Sequence, residues 1–346
     1  MSYLRNCWYM AAWSDEVEAG GMLARRYLDE PVVLFRDSGG KVCAVHDRCP
    51  HRFAPLSKGK VENGTIACGY HGLTFDGCGK CVFNPHGKIL QSMAVKHYAV
   101  AEAYRGIWIW MGEPETANLD FLRDLSFLET APETAFSKGY LCGHGNYQLF
   151  VDNILDLTHV DFLHASTLGS GAFTRTRAKV AETGDRVTIL RDCLDEVPSP
   201  LMRSIRNITE EDRVDYWNNV EWSPPAVMTL SGGNVPSGAD REGPLNNMNT
   251  MNAHIVTPET GLTTHYFFAT TRDFAVDDAE FNEKFARTRN QIFSTEDEPM
   301  IRAQQERMGD KNLWELQPLL LRIDEGSVRV RRKLEKMIEA ENSTRS

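Results

Sequence analysis

The sequence has few cysteines, no long apolar run and a deficit of positive charge. Eight cysteines in 346 residues are too few for a disulfide scaffold. No apolar run reaches the ~18 residues that a membrane-spanning helix needs, so no membrane association is expected. The net charge of −10 argues against nucleic-acid binding, which requires a surplus of Lys and Arg on one face. The N-terminal apolar stretch is short and interrupted by Asn6, which predicts no signal peptide and a reducing, cytoplasmic location.

The pattern along the chain predicts two domains. A chain of 346 residues exceeds what one hydrophobic core usually organises. Residues 1–114 contain short apolar runs cut by Gly, Pro and Asp, which predicts a small all-β domain. Residues 115–346 predict an α+β domain, with helices near 150–164, 277–308 and 325–341 and strands at 215–222, 248–256 and 263–270. A Gly- and Pro-rich segment, 231–247, predicts a loop long enough to act as a lid.

Two Cys–His pairs form the strongest motif of the first domain. Cys49 precedes His51 by two residues, and Cys68 precedes His71 by three. Such a set can bind one zinc ion, or a [2Fe–2S] cluster in which thiolates hold one iron and imidazoles the other. Because each segment offers one sulfur and one nitrogen, each can contact both irons. This favours the cluster over zinc, whose fingers usually pair like ligands. Scattered buried cysteines and histidines are the remaining alternative.

A second pair of cysteines follows in a Gly-rich turn. Cys78 and Cys81 form a C-x-x-C segment that lacks a partner pair, so we interpret them as structural thiols. His86 follows in a segment that could form a loop over the cluster, and we interpret it as a surface residue rather than a ligand.

Two histidines in a predicted helix form a second candidate site. Asp152, Asp156 and His159 follow at i, i+4 and i+7, which predicts one shared helical face. His164 lies about 140° from His159 on a regular helix, so joint metal binding requires a helix end or a π-type turn between them. A third, carboxylate ligand would complete the site of non-haem Fe(II) oxygenases. The candidates, which could also form a solvated helix end, are Glu296, Asp297 and Glu298.

These segments resemble the Rieske non-haem iron oxygenases. The Cys–His pairs, with Ala54-Pro55-Leu56-Ser57, resemble the Rieske domain of ring-hydroxylating and O-demethylating members. Residues 152–159 with His164 resemble the iron-binding segment, and the resemblance makes Asp297 the remote ligand. It covers nearly the whole chain and includes the oxygenase subunits of vanillate O-demethylase, dicamba O-demethylase and toluenesulfonate methyl-monooxygenase.

The resemblance implies an architecture and a set of roles. A Rieske domain over 1–114 would precede a helix-grip (START-like) catalytic domain over 115–346, and three chains would form a ring-shaped homotrimer. The cluster ligands would be Cys49, Cys68, His51 and His71, and the Fe(II) ligands would be His159, His164 and Asp297. Asp156 would link the two centres across a subunit boundary by hydrogen bonds to a cluster histidine and to His159. Asn153 would lie near the iron without binding it.

The resemblance also implies a reaction and partners. The expected activity is that of a terminal oxygenase that uses O₂ to O-demethylate a small methoxy-aromatic acid. The alternatives are hydroxylation of an aryl methyl group, a Rieske electron carrier without oxygenase activity, and a ligand-binding module. No nicotinamide- or flavin-binding motif occurs, so a separate flavin- or ferredoxin-type reductase would use NAD(P)H and deliver electrons. A basic patch that could bind such a donor, or simply be a solvated loop, comprises Arg48, Arg52, Lys58 and Lys60.

His254 is the candidate substrate-binding residue. It matches a histidine with which dicamba demethylase holds its substrate, although it could equally be an ordinary sheet histidine. The positions of the other two substrate-binding residues, an Asn and a Trp, correspond to Leu230 and Thr288. Dicamba itself is therefore not the expected substrate.

Overall fold

The computed structural model describes residues 3–241 and 248–345, which form two compact units. The first comprises the described residues of Met1–Asp124, Thr257–Gly261 and Glu341–Ser346, and the second comprises those of Leu125–Val256 and Leu262–Ala340. The domain boundary at residue 114 stays a prediction. None of the helices in the described part of the chain has the length and apolarity needed to span a bilayer.

The first unit is built from short antiparallel strands, as predicted. The strands are β1 (Trp8–Trp13), β2 (Met22–Tyr27), β3 (Glu30–Arg36), β4 (Val42–His46), β5 (Lys60–Glu62), β6 (Thr65–Ala67), β7 (Thr74–Phe75), β8 (Cys81–Phe83), β9 (His97–Tyr98), β10 (Val100–Ala103) and β11 (Gly106–Trp110). They pair as three sheets, β1-β11-β10, β2-β3-β4-β9 and β5-β6-β7-β8. Phe35, Leu56 and Phe75 are fully buried in one core cluster, which also contains Cys49 and Cys68. The predicted cluster cysteines therefore lie in the core of this unit.

The second unit combines a large sheet with helices, as predicted. Its helices are α1 (Phe127–Thr130), α2 (Tyr147–Leu155), α3 (Val160–Leu163), α4 (Ala172–Arg175), α5 (Pro200–Arg206), α6 (Ala279–Ile292), α7 (Glu298–Met308) and α8 (Glu325–Arg345). Its strands are β12 (Phe136–Gly143), β13 (Lys179–Thr183), β14 (Arg186–Leu190), β15 (Asp192–Glu196), β16 (Val214–Ser223), β17 (Val227–Pro236), β18 (Met248–Pro258) and β19 (Thr264–Arg272). The sheet order is β12-β19-β18-β17-β16-β14-β13, with β15 also pairing with β16.

The predicted loop over 231–247 is wrong for its first part, because β17 continues to Pro236. Residues 242–247 lie outside the described residues. The glycines that suggested a loop allow close packing within the sheet. A Cβ at Gly233 would lie 2.2 Å from the ring of Trp217, so no larger residue fits there.

The predicted helical stretch near 150–164 is present but divided into three pieces. Helix α2 ends at Leu155, and Asp156 is extended, with φ −114° and ψ 94°. A 3₁₀ turn over Leu157–His159 follows, and α3 then begins. Asp152, Asp156 and His159 therefore do not share a helical face.

Candidate metal centres and substrate cavity

Two similar loops bring the four predicted cluster residues together in pairs. The main-chain N–H of Cys49 donates to Ala54 and that of Cys68 donates to Leu73, so each cysteine opens a tight turn. Cys49 and Cys68 are 2% and 4% exposed, and their side chains interact with each other. The rings of His51 and His71 lie 4.6 Å apart between centroids, and both reach the surface more than the thiols do. The structure thus places a sulfur pair inside and an imidazole pair outside.

This donor set fits a two-iron cluster. Burial raises the pKa of the Cys49 thiol, and contact with Cys68 contributes to the same shift. Two buried thiols in contact become stable thiolates when a cation lies between them. An inner pair of thiols and an outer pair of imidazoles suit two irons, one for each pair, better than a lone zinc ion.

Of the neighbouring residues, Cys81 packs in the core of the first unit and His86 contacts the second cluster loop. Cys81 is buried and its thiol lies 3.3 Å from the carbonyl oxygen of Phe83, whereas Cys78 is exposed. Nε2 of His86 lies 2.9 Å from the carbonyl oxygen of His71, so the 84–87 segment contacts the second cluster loop. The interpretation of the two cysteines as structural thiols is compatible with these contacts.

A compact group of ligands consists of His159, His164 and Asp297, whose donor atoms all lie within 4.8 Å of one another. Oδ1 of Asp297 lies 3.1 Å from Nε2 of His164 and 3.5 Å from Nε2 of His159. His159 is the last residue of the 3₁₀ turn and His164 follows the last residue of α3, so a helix end lies between the histidines and both rings face the same carboxylate. The helix interruption that the sequence required is therefore present.

A π-type turn is also present, but in the helix that carries the carboxylates. Residues Phe293–Asp297 form this turn between α6 and α7. Its extra residue directs two consecutive acids toward His164: Oε2 of Glu296 lies 2.8 Å from Nδ1, and Asp297 faces Nε2. Glu298 points elsewhere and forms an ion pair with Arg302. The structure thus distinguishes the three acids, which spacing alone could not do.

Polar neighbours fix the orientation of this group. Nδ2 of Asn153 donates to Oδ1 of Asp297 over 3.0 Å. Nδ1 of His159 lies 2.5 Å from the main-chain carbonyl oxygen of Asp156, and the carboxylate of Asp156 accepts from the N–H and hydroxyl of Thr158. We expected the carboxylate of Asp156 to hydrogen-bond His159. The main-chain carbonyl oxygen of the same residue makes this contact instead. The reason is the chain break, which makes the carboxylate the cap of the next turn.

The electrostatics of the group suit a divalent cation. Burial alone would raise the pKa of Asp297, but hydrogen bonds from both histidines outweigh it and hold the pKa well below its usual range. Burial opposes the charged form of His164, yet Asp297 and Glu296 raise its pKa overall. Because acceptors occupy Nδ1 of both rings, each Nε2 is left for a metal ion.

A cavity of about 260 Å³ adjoins the group of His159, His164 and Asp297, and the predicted substrate-binding residue lines it. His254 lines it together with Leu230 and Thr288, the two positions where the resemblance departs from dicamba demethylase. Much of the wall is apolar, formed by Ile154, Leu157, Val160, Leu168, Phe173, Leu201, Met202, Ile205, Phe274, Phe285, Ile292 and Phe293. Sequence reasoning missed Tyr266, whose hydroxyl lies 2.6 Å from His254, because nothing in a buried strand distinguishes this tyrosine.

Comparisons with known proteins agree with both centres. A Rieske [2Fe-2S] domain matches residues 7–94, and the vanillate O-demethylase oxygenase C-terminal domain matches residues 144–340. The chain is 38% identical to the oxygenase component of chloroacetanilide N-alkylformylase from Rhizorhabdus wittichii, over 98% of this chain and 97% of that one. It is 36% identical to the toluene-4-sulfonate monooxygenase system iron-sulfur subunit of Comamonas testosteroni, over 98% of each. The crystal structure of dicamba monooxygenase bound to 3,6-dichlorosalicylic acid matches with a TM-score of 0.92 at 34% identity, over 99% of both chains.

The fold, the paired Cys–His loops and the two-histidine, one-carboxylate group define a Rieske-type oxygenase. The chain belongs to the family of Rieske oxygenase components that serve O-demethylase and monooxygenase systems. The predicted enzyme class and fold class are confirmed. So are the predicted cofactors, a [2Fe–2S] cluster and a mononuclear non-haem iron, and the zinc alternative is excluded.

Proposed function

We propose that this chain is the terminal oxygenase of a multicomponent system that O-demethylates a methoxy-substituted aromatic acid. The observation that carries the proposal is that His159, His164 and Asp297 line the same cavity as His254. A substrate bound in this cavity has its reacting C–H bond beside the metal group. The apolar wall suits an aromatic ring and excludes water from the reacting centre.

The proposed ligand assignment follows the geometry of the two centres. Cys49 and Cys68 would hold one iron of the cluster and His51 and His71 the other, whereas His159, His164 and Asp297 would hold the mononuclear iron. When bound, the two centres supply stored electrons and O₂-dependent oxidation of a C–H bond. Asn153 and the carbonyl of Asp156 contribute by fixing the carboxylate and one imidazole before the metal binds.

Two arginines support the proposal that the substrate is an acid. Arg206 and Arg289 both line the cavity. Burial lowers the pKa of Arg289 to about 10, so its side chain still carries a positive charge at neutral pH. An arginine at the wall favours a carboxylate or sulfonate over an amine. His254 offers a further polar contact, which supports its assignment to substrate binding.

Hydroxylation of an aryl methyl group is a second candidate. It is favoured by the similarity to the toluene-4-sulfonate monooxygenase subunit, and by Leu230, which adds an apolar contact to the cavity. Both reactions replace one C–H bond by C–OH. With a methoxy group the hemiacetal loses formaldehyde and leaves a phenol, whereas with an aryl methyl group the product is a benzylic alcohol.

We propose that electrons pass from the cluster of one subunit to the iron site of another within a homotrimer. Exposed apolar side chains surround the cluster loops, with Phe53 at 66% and Tyr70 at 60% exposed. A second exposed apolar surface, including Leu319 at 87%, borders a separate cavity of about 650 Å³ that Asp156 and His159 line. These surfaces suit contact between the cluster of one subunit and the iron site of another.

A reductase would bind beside the cluster. Of the predicted basic patch, Lys60 pairs with Glu62 at 2.6 Å and Arg48 lies over the Phe53 ring, whereas Arg52 and Lys58 are exposed. Reversing the charge of Arg52 and Lys58 should slow cluster reduction by an acidic flavin- or ferredoxin-type donor at low salt. Reduction rates that do not change would contradict this docking role.

The substrate is tested with purified, iron-reconstituted protein, a surrogate reductase and NADH. Methoxy- and methyl-substituted aromatic acids are screened for formaldehyde release, benzylic alcohol formation and O₂ uptake. We expect formaldehyde in stoichiometric amounts from at least one methoxy-aromatic acid, and none with the His159→Ala variant. Cluster reduction without product from either set would contradict the proposed substrate class.

A further inference from the structure

A buried hydrogen bond connects the substrate cavity to β19. The hydroxyl of Tyr266 lies 2.6 Å from Nδ1 of His254, and the two residues are 3% and 5% exposed. Their rings stack with centroids 6.0 Å apart, and the ring of Phe293 lies edge-on to both. This packing fixes the orientation of the imidazole, so Nδ1 faces Tyr266 and Nε2 is the nitrogen left for the cavity.

Two proton arrangements can form this hydrogen bond. If Nδ1 carries the proton, it donates to the tyrosine oxygen, and the buried O–H of Tyr266 has no acceptor among residues 3–241 and 248–345. If Nε2 carries the proton, the tyrosine O–H donates to Nδ1 and the buried hydroxyl is satisfied. Buried polar hydrogens in folded proteins nearly always have an acceptor. The second arrangement is therefore favoured.

A charged imidazolium is not a third arrangement at neutral pH. Burial is the largest cause that lowers the pKa of His254, the charge of Arg289 adds to it, and both outweigh Asp297, so the pKa is about 3. Burial also raises the pKa of Tyr266 well above its ordinary value, so its hydroxyl keeps the proton. The pair is therefore uncharged at neutral pH.

We propose that Tyr266 is a positioning residue that holds His254 in the Nε2–H tautomer, so that the cavity presents an uncharged N–H donor to an oxygen atom of the substrate. This inference rests on the proposed function and deepens it. It assigns an ether, carboxylate or sulfonate oxygen as the group that His254 recognises. A group that offers only hydrogen-bond donors, such as an ammonium, finds no lone pair at Nε2.

The tautomer is measured by long-range proton–nitrogen NMR on the full-length protein with isotope-labelled histidine. Zn(II) in the mononuclear site removes the paramagnetism of the mononuclear iron. We expect a His254 signal with a protonated Nε2 and a bare Nδ1, assigned by its loss in the His254→Gln variant. Tyr266→Phe should shift the signal toward Nδ1–H. A wild-type signal protonated at Nδ1, or one unchanged in Tyr266→Phe, overturns the proposal.

The donor role is measured with 4-methoxybenzoate as the binding probe, using calorimetry without O₂. The amide nitrogen of Gln reaches the position of Nε2, whereas that of Asn reaches the position of Nδ1. His254→Gln should keep Kd within about threefold, whereas His254→Asn should weaken binding about tenfold. Equal losses in both variants contradict the donor role. If the wild-type protein binds neither 4-methoxybenzoate nor any other acid of the screen, the proposed substrate class fails, and the NMR result still decides the tautomer.

Discussion

Nδ1 of His164 lies 2.8 Å from Oε2 of Glu296, while Nε2 of the same ring faces Asp297. One histidine thus lies between two consecutive acids of a π-type turn. A carboxylate behind a ligating imidazole fixes its tautomer and increases its basicity. We therefore propose that Glu296 supports the mononuclear iron site through His164 without being a ligand.

Replacing Glu296 should weaken iron binding. Glu296→Ala leaves Nδ1–H of His164 without its acceptor, and we expect iron affinity to fall about 10- to 100-fold. Glu296→Gln retains an acceptor oxygen but no charge, so its loss should be smaller. The Kd for iron, measured on iron-depleted protein, gives the loss of affinity in each variant. Glu280→Gln, an exposed acid on α6, is the control. Equal affinity in Glu296→Ala and the control would show that the hydrogen bond does not support the ligand.

The buried ion pair between Arg331 and Asp152 should stabilise the second unit. Nη2 and Nε of Arg331 lie 2.6 Å and 2.9 Å from Oδ2 of Asp152, which joins α8 to α2 beside Asn153. Arg331→Met leaves a partly buried carboxylate unpaired and should lower the free energy of unfolding by about 3 kcal/mol.

Urea unfolding monitored by circular dichroism measures the change. Arg332→Met, at an exposed position of α8, is the matched control. Adding Asp152→Asn to Arg331→Met should recover part of the loss, because no unpaired charge then remains. A double variant as unstable as the sum of the two single variants would argue against coupling.

The cysteines of the first unit should differ in their importance for the cluster. Cys68 is buried and contacts Cys49, whereas Cys78 is exposed in a neighbouring turn. Cys68→Ser should abolish the visible absorption of the cluster, and Cys78→Ser should leave it unchanged. Loss of the spectrum in Cys78→Ser would assign that thiol a ligand role.

Glu30 should make the first unit sensitive to acid. Burial opposes ionisation of Glu30, but hydrogen bonds from Lys96, Tyr98 and Arg5 outweigh it and lower the pKa to about 2. A depressed pKa stabilises the fold above the unfolded-state value of about 4.5, and this contribution is lost as pH falls toward 2. Its size, after allowance for solvent screening, is about 2 kcal/mol.

The prediction is checked by comparing wild type with Glu30→Gln in urea at several pH values. The stability advantage of wild type should be constant near neutral pH and should shrink as pH falls from about 4.5. A difference between the two proteins that does not depend on pH would contradict the assignment.

Spacing and residue type predicted the candidate metal-binding positions but not their arrangement. The Cys–His pairs are informative because each set lies within one short loop. The carboxylate could not be selected among Glu296, Asp297 and Glu298, since that requires the π-type turn, which depends on packing across α6 and α7. Likewise, β17 was not predicted because its glycines usually indicate loops, and the side chains of Trp217 and Asn249 that require Gly233 come from other strands.

The break at Asp156 was missed for a related reason. An aspartate can continue a helix or cap the next turn, and local sequence does not separate these outcomes. The contact between Tyr266 and His254 joins two strands and leaves no signal in either one. Features that depend on tertiary contacts could therefore not be predicted from the sequence, whereas those contained in one short segment could.

The most direct test of two separate iron centres is the iron content and visible spectrum of paired variants. Reconstituted wild-type protein should contain about three irons per chain, two in the cluster and one alone. His159→Ala should lose only the mononuclear iron and keep the cluster spectrum, whereas Cys49→Ser should lose the spectrum. A His159→Ala protein that keeps the full iron content, or loses the cluster as well, would contradict the account.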